Sequence, residues 1–247
     1  MKNLTFILPT LMAASTSVGA EDRGSEHRVK HQYELYAQIS SYSYLERDLM
    51  SKKSEMPFLG LGYARYFQIF NNKMTATIEG QYGTTNYHSS DGMTGPDRTL
   101  ILETQLERTW LVGKYGFSTG LAYRFLYDFW GNQTTSSGLP TYDRQSEYFF
   151  SSIGATLELN NGQSAAVRYK HLIQGTQTSY LEDIDGIGQL TKMQPSGFGL
   201  AMEYALDPNL TVFLDYWSIS ASNLDTQGLG FFEPPNETLQ VGFRHHF

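Results

Sequence analysis

Gly113-Lys114-Tyr115-Gly116-Phe117-Ser118-Thr119-Gly120-Leu121-Ala122-Tyr123-Arg124-Phe125-Leu126-Tyr127-Asp128 opens with a tight-turn signal and runs straight into strict alternation. Phe117, Leu121, Tyr123, Phe125 and Tyr127 share one parity, whereas Ser118, Gly120, Ala122, Arg124 and Asp128 share the other. Side chains of a strand point to opposite faces with period two, so this segment has one apolar and one polar face. The polar face mixes glycine and alanine with an arginine and an aspartate. Such a mixture suits a crowded narrow interior better than a solvated surface.

The same reading extends in both directions. Val29, Tyr33, Leu35, Ala37 and Ile39 oppose Lys30, Gln32, Glu34, Gln38 and Ser40; Met74, Ala76, Ile78 and Tyr82 oppose Thr75, Thr77, Glu79 and Gln81. Phe198, Leu200, Met202 and Tyr204 oppose Gly199, Ala201 and Glu203; Leu239, Val241, Phe243 and Phe247 oppose Gln240, Gly242, Arg244 and His246. Arg65, Arg108 and His171 fall in the apolar phase. A bulge that re-phases them is one account; for the two arginines, which lie near turns, snorkelling to an interface is another.

Connections alternate in length. Short turn signals stand at Asn71-Asn72, Gly113–Gly116, Asn160-Asn161-Gly162 and Asp207-Pro208-Asn209, where these residue types supply tight-turn backbone. Between them lie longer polar stretches: Arg47 to Glu55, Ser89 to Asp97, Gly131 to Asp143, Gln177 to Gln194 and Asp225 to Asn236. About ten antiparallel strands joined this way predict an all-β, transmembrane up-and-down barrel, with short turns on one side and long loops on the other. Aromatic residues near strand ends (Tyr42, Tyr44, Tyr87, Phe129, Trp130, Tyr142, Tyr148, Phe149, Tyr216, Trp217) are expected to form the interfacial girdle. A soluble barrel with the apolar phase turned inward is the main rival.

Export precedes folding. Lys2, the mainly apolar stretch Leu4 to Ala14 and the small residues leading to Val18-Gly19-Ala20 have the layout of a signal peptide. The division expected is therefore 1–20 signal peptide and 21–247 barrel domain. The alternative, a membrane anchor, needs roughly 20 apolar residues, more than this run supplies. No other long apolar run exists, which excludes a helical membrane protein. The absence of cysteine excludes a lipoprotein, a disulfide framework and thiolate chemistry. Removing Lys2 from 18 Lys+Arg leaves 17 against 25 Asp+Glu, a formal charge of −8, which repels nucleic acid.

The closing segment Leu239-Gln240-Val241-Gly242-Phe243-Arg244-His245-His246-Phe247 resembles the carboxy-terminal assembly signal of small Gram-negative outer-membrane β-barrel proteins. Phe247, Phe243, Val241 and Leu239 match its terminal aromatic and alternate apolar positions, while His245 departs from the apolar choice. The resemblance implies outer-membrane lipid and the barrel-assembly machinery as partners, extracellular loops and periplasmic termini. Strand number also resembles the omptin proteases and ten-stranded adhesins. Omptin-like chemistry needs an Asp-His pair and an aspartate pair at the rim; no Asp-His dipeptide occurs, and the histidine near that rim is His88. Lipid-modifying barrel hydrolases use a serine activated by histidine, for which Ser89 or Ser90 beside His88 is a weak candidate because adjacent strand residues face opposite ways.

The polar phase carries Glu34, Glu79, Glu103, Glu107, Asp128, Glu158, Glu203 and Asp215, and the bases Lys30, Arg124, Arg168, Lys170 and Arg244. Paired carboxylates such as Glu103 and Glu107 can do acid/base work, but buried charges must be paired and hydrogen-bonded, so a network filling the lumen is expected. The acidic stretch Leu181 to Gly186 lacks the later ligands and closing glutamate of a calcium loop. The triplets at Asn132, Asn209 and Asn236 match a glycosylation pattern expected by chance. Neither catalytic, metal nor cofactor residues are assigned. The leading expectation is a non-enzymatic surface barrel with a mostly filled lumen, whose long loops contact an extracellular or envelope partner. A narrow pore for small solutes and a rim hydrolase are the alternatives.

Overall fold

The computed structural model describes residues 32–69, 72–90, 92–131, 141–159, 162–181, 188–222 and 233–247. The expected signal peptide, Lys30 and the acidic stretch 182–186 lie outside them.

Among the described residues the alternating segments form twelve strands: β1 (Gln32–Glu46), β2 (Met50–Ser54), β3 (Phe58–Ile69), β4 (Asn72–Ser89), β5 (Thr94–Val112), β6 (Tyr115–Asp128), β7 (Asp143–Glu158), β8 (Ser164–Leu181), β9 (Gly188–Gln194), β10 (Gly197–Asp207), β11 (Leu210–Ile219) and β12 (Asn236–His246). They occupy ten positions around a closed wall. β2 and β3 share one position between β1 and β4, and β9 and β10 both run along β8. Pro57 and Pro195 stand at the two interruptions, where a residue without an N–H cannot donate to a ladder. Every pairing is antiparallel, and β12 against β1 closes the barrel, while β9 extends beyond it paired with β8.

The registers make the two faces explicit. Ile39 stands between Leu59 and Phe243, and one residue earlier Gln38 stands between Gly60 and Arg244. The first rung faces out and the second faces in. Leu61 is 67% exposed and Ile153 63%, whereas Gln240 is 0%, Arg124 2% and Lys170 3% exposed. This burial is inverted relative to a water-soluble protein. An antiparallel barrel with an apolar outer wall satisfies all its backbone groups internally and presents only hydrocarbon outward, as a bilayer demands. The soluble-barrel alternative is excluded, because there the apolar phase would point inward.

Arg65, Arg108 and His171 keep the outward phase. Arg65 pairs with Ala76 and His171 with Phe198. The bulge that does occur in β8 follows His171, where Phe149 pairs with Gln174 but Phe150 with Leu172. Arg108 lays its guanidinium 4.5 Å from the Trp110 ring centre, as a snorkelling cation at an aromatic belt does.

Two expectations need correction. The long connections are partly sheet: Lys52 lies in β2, Asp97 in β5, and β8 and β9 pair with each other through 177–181 and 188–194. The girdle is also smaller than expected. Tyr42, Tyr44, Tyr87, Trp130, Tyr148 and Trp217 are buried on the inner side, while Phe129 and Phe149 remain outside, 37% and 39% exposed. Proximity to a strand end does not decide the face of a side chain; parity does, and Tyr42 and Tyr44 share the parity of Gln38.

Inward glycines make room for this contents. A Cβ at Gly62 would overlap the Tyr36 ring, and one at Gly83 would overlap Phe58. Gly62→Val is expected to lower stability by about 1–3 kcal/mol, the usual range for overpacking. The midpoint of urea unfolding in detergent micelles checks this; an unchanged midpoint would show that Tyr36 can move aside freely.

Candidate functional site in the lumen

The barrel interior is built in three layers whose order can be followed along single strands. β6 places Arg124, Leu126 and Asp128 on successive inward positions, and β5 places Glu103, Ile101, Thr99 and Asp97. An ionic layer nearer the short turns is thus followed by an apolar layer and then by a second ionic layer near the long loops.

In the first layer Glu103 accepts from Lys170 across the lumen and from Arg124 Nη1 at 3.1 Å. Arg168 Nε donates to Glu107 at 2.7 Å, and its Nη1 lies 3.9 Å from Glu203. Arg244 joins Glu203 at 2.6 Å to Glu79 at 3.5 Å and donates to Gln38 at 3.1 Å. Tyr36 donates its hydroxyl to Glu79, and Gln105 donates to Glu107 at 2.6 Å. Arg124 and Lys170 both lie 4.4 Å from the Trp217 ring centre, so one aromatic face serves two cations. Buried charges are tolerated when paired and hydrogen-bonded, and this layer meets that condition at nearly every member.

The apolar layer holds Tyr42, Phe58, Ile101, Leu126, Phe150, Leu172 and Ile219. Phe150 packs on Trp217 with ring centres 4.8 Å apart, and Tyr42 on Phe58 at 5.3 Å. Its members were hidden in the polar phase of the sequence, where isolated apolar residues stand between ions.

Beyond it, Lys52 reaches Asp97 at 2.5 Å and Asp128 at 2.6 Å. Arg144 joins Asp128 at 2.9 Å to Glu46 at 3.2 Å. Tyr44 donates to Glu46, and Thr99 to Asp128 at 2.7 Å. Tyr87 and Trp130, ring centres 4.0 Å apart, line a cavity of about 20 Å³ above this cluster together with Tyr142. A second cavity, of about 10 Å³, lies beneath it beside Trp217 and Tyr148. Each has room for about one water. Glu233, at the end of the last long connection, accepts from Gln177 at 2.6 Å and Ser179 at 3.1 Å.

The structure therefore distributes the expected charge set unevenly. Glu79, Glu103, Glu107, Arg124, Arg168, Lys170, Glu203 and Arg244 meet in one layer, and Asp128 belongs to the other. Glu34 sits at the short-turn end, accepting from Tyr66 at 3.0 Å with His246 at 3.4 Å. Asp215 is buried in the first layer but makes no ion pair within 4 Å among the described residues. Glu158 is exposed at the end of β7, outside the network. Lys52, Glu46, Asp97 and Arg144 were missed because they lie in or beside stretches assigned to loops; continuing the strand parity from Ser146 to Arg144 would have found one of them.

Leu239, Val241 and Phe243 all face outward from β12, and Phe247 lies just beyond it, 80% exposed. His88 is exposed on the outer side of the β4–β5 hairpin, and Ser89 Oγ accepts the Met93 N–H at 3.1 Å. Among the described residues no cluster of His, Asp or Glu has the arrangement of a metal site.

A closed antiparallel wall, apolar outside and packed with ions inside, defines a transmembrane β-barrel of the outer-membrane type. No protein-family model matches the chain, and no curated protein matches its sequence. Among solved structures it is similar to the outer membrane protease OmpT from Escherichia coli, with 9% identity, a TM-score of 0.45, and 88% of this chain and 96% of that one covered. It is also similar to the β domain of the Bordetella autotransporter BrkA, at 10% identity and TM-score 0.42 over 87% and 99% of the chains. Neisserial surface protein A gives 10% identity and TM-score 0.38 over 87% and 97%. These are a protease, an autotransporter domain and a surface protein, so the likeness assigns no task.

Proposed function

We propose that this protein is a sealed, non-enzymatic barrel of a Gram-negative outer membrane, whose long connections face the cell exterior and meet an extracellular or envelope partner. In this reading the short turns and both termini are periplasmic, and the outward apolar residues of the closing segment are what the assembly machinery engages. The observation that carries it is the three-layer interior. A ten-position barrel has a small bore, and here two ion-pair layers of mixed sign enclose an aromatic layer. An open aqueous path would have to leave those ions unpaired or expel the aromatic rings.

The test is electrical. Purified protein in a planar bilayer is expected to show only rare, small openings. Arg168→Ala, which strips Glu107 and Glu203 of a partner, is expected to make them more frequent. Steady porin-sized conductance from the unmodified protein would overturn the sealed reading.

A further inference from the structure

The outer wall is not evenly covered. Toward the short-turn ends of β6, β7, β8, β10 and β11 it carries a wide, open hollow of about 660 Å³ with an apolar lining. Two consecutive outward rungs make it. In the rung nearer the turns, Leu157 pairs with Tyr115 and Ala165, and Tyr204 pairs with Ala165 and Val212. In the next, Ala155 pairs with Val167. The short side chains of Ala155, Ala165, Val167 and Val212 leave the depression, and Tyr115 and Tyr204 line it at the short-turn end.

We infer that this hollow holds one acyl chain of a phospholipid from the leaflet at the short-turn end, with the lipid phosphate on Lys114. Lys114 is exposed in the turn before β6, and its ammonium lies 5.6 Å from the centre of the Tyr115 ring that lines the hollow. Among the described residues it forms no ion pair, so its charge, resting over the Tyr115 ring, lies beside an apolar depression without a carboxylate partner. An acyl chain is as apolar as the lining, so transfer from bulk lipid contributes little. Retention comes instead from close packing in a fitted hollow and from a charge-assisted contact to phosphate. A second copy of this chain fits less well. A two-fold interface sets the same patch against itself, and two hollows face to face leave a void that close packing disfavours.

The inference rests on the barrel's place in a bilayer, which sedimentation with membranes reports separately. Full-length protein extracted in mild detergent and weighed by native mass spectrometry through stepwise delipidation is expected to retain one phospholipid per barrel. Ala155→Trp, which fills the hollow, and Lys114→Glu, which reverses the charge in an exposed turn, are each expected to lower retention about tenfold. Leu59→Trp on β3, away from the hollow, is expected to leave it unchanged. Heat-modifiable gel migration shows that each variant is folded, and Lys114→Glu decides alone if Ala155→Trp does not fold. Absence of retained phospholipid in the unmodified protein, or equal retention in all variants, overturns the inference. An unmodified dimer that Ala155→Trp splits overturns it in favour of the second copy.

Discussion

Glu103→Ala is expected to destabilise the folded barrel by about 3–5 kcal/mol, the loss measured when one member of a buried ion group is removed. Glu103 is the shared acceptor of Lys170 and Arg124, whose side chains are 4% and 3% exposed. Removing the carboxylate leaves both cations without it in an interior that water does not replace. Trp217 still offers its face to both, so the loss is not total. Glu103→Gln, which keeps volume and an acceptor, is expected to lose less. Combining Glu103→Leu with Lys170→Met and Arg124→Met is expected to recover most of the stability, since an apolar set of similar volume often replaces buried ions without penalty. Urea unfolding followed by tryptophan fluorescence checks all three. A loss below about 1 kcal/mol for Glu103→Ala, the range of exposed pairs, would show that water reaches this layer.

Trp217→Ala is expected to be as damaging, by about 3–5 kcal/mol for truncation of a large buried aromatic, and to have a second effect that Glu103→Ala lacks. Trp217 is 3% exposed and joins two layers, packing on Phe150 while facing Arg124 and Lys170. It also lies over Gly199, where a Cβ would come within 2.7 Å of its ring. Its removal joins the small cavity beside it to the space it vacates. Planar-bilayer recordings of the variant are expected to show frequent openings where the unmodified protein shows few. A silent variant of lowered stability would place the seal in the outer ionic layer, at Lys52, Asp97, Asp128 and Arg144, and not at the tryptophan.

The lumen charges were legible as a class but not as pairs. Arg124, Arg168, Lys170 and Arg244 are marked as inward by parity alone, because parity is a property of each strand. That Lys170 meets Glu103, three strand positions away around the wall, depends on closure and tilt, which no local pattern encodes. The second ionic layer was harder to see. Asp97, Lys52 and Arg144 sit among polar residues on both faces, where the apolar phase that marks a strand has ended, so the alternation stops being visible although the strands continue.

What the sequence by itself determined is the kind of wall this protein builds: antiparallel strands with apolar residues out, about ten of them, joined by short and long connections in turn. Those properties follow from local facts, the period of two along an extended chain and the residue types that close tight turns. Only the tertiary structure decided that the interior is layered, that most of the strand-end aromatics are inside, and which ion answers which. Contacts across the lumen depend on the shear fixed when β12 meets β1, and on where Pro57 and Pro195 interrupt the wall, neither of which any single strand specifies.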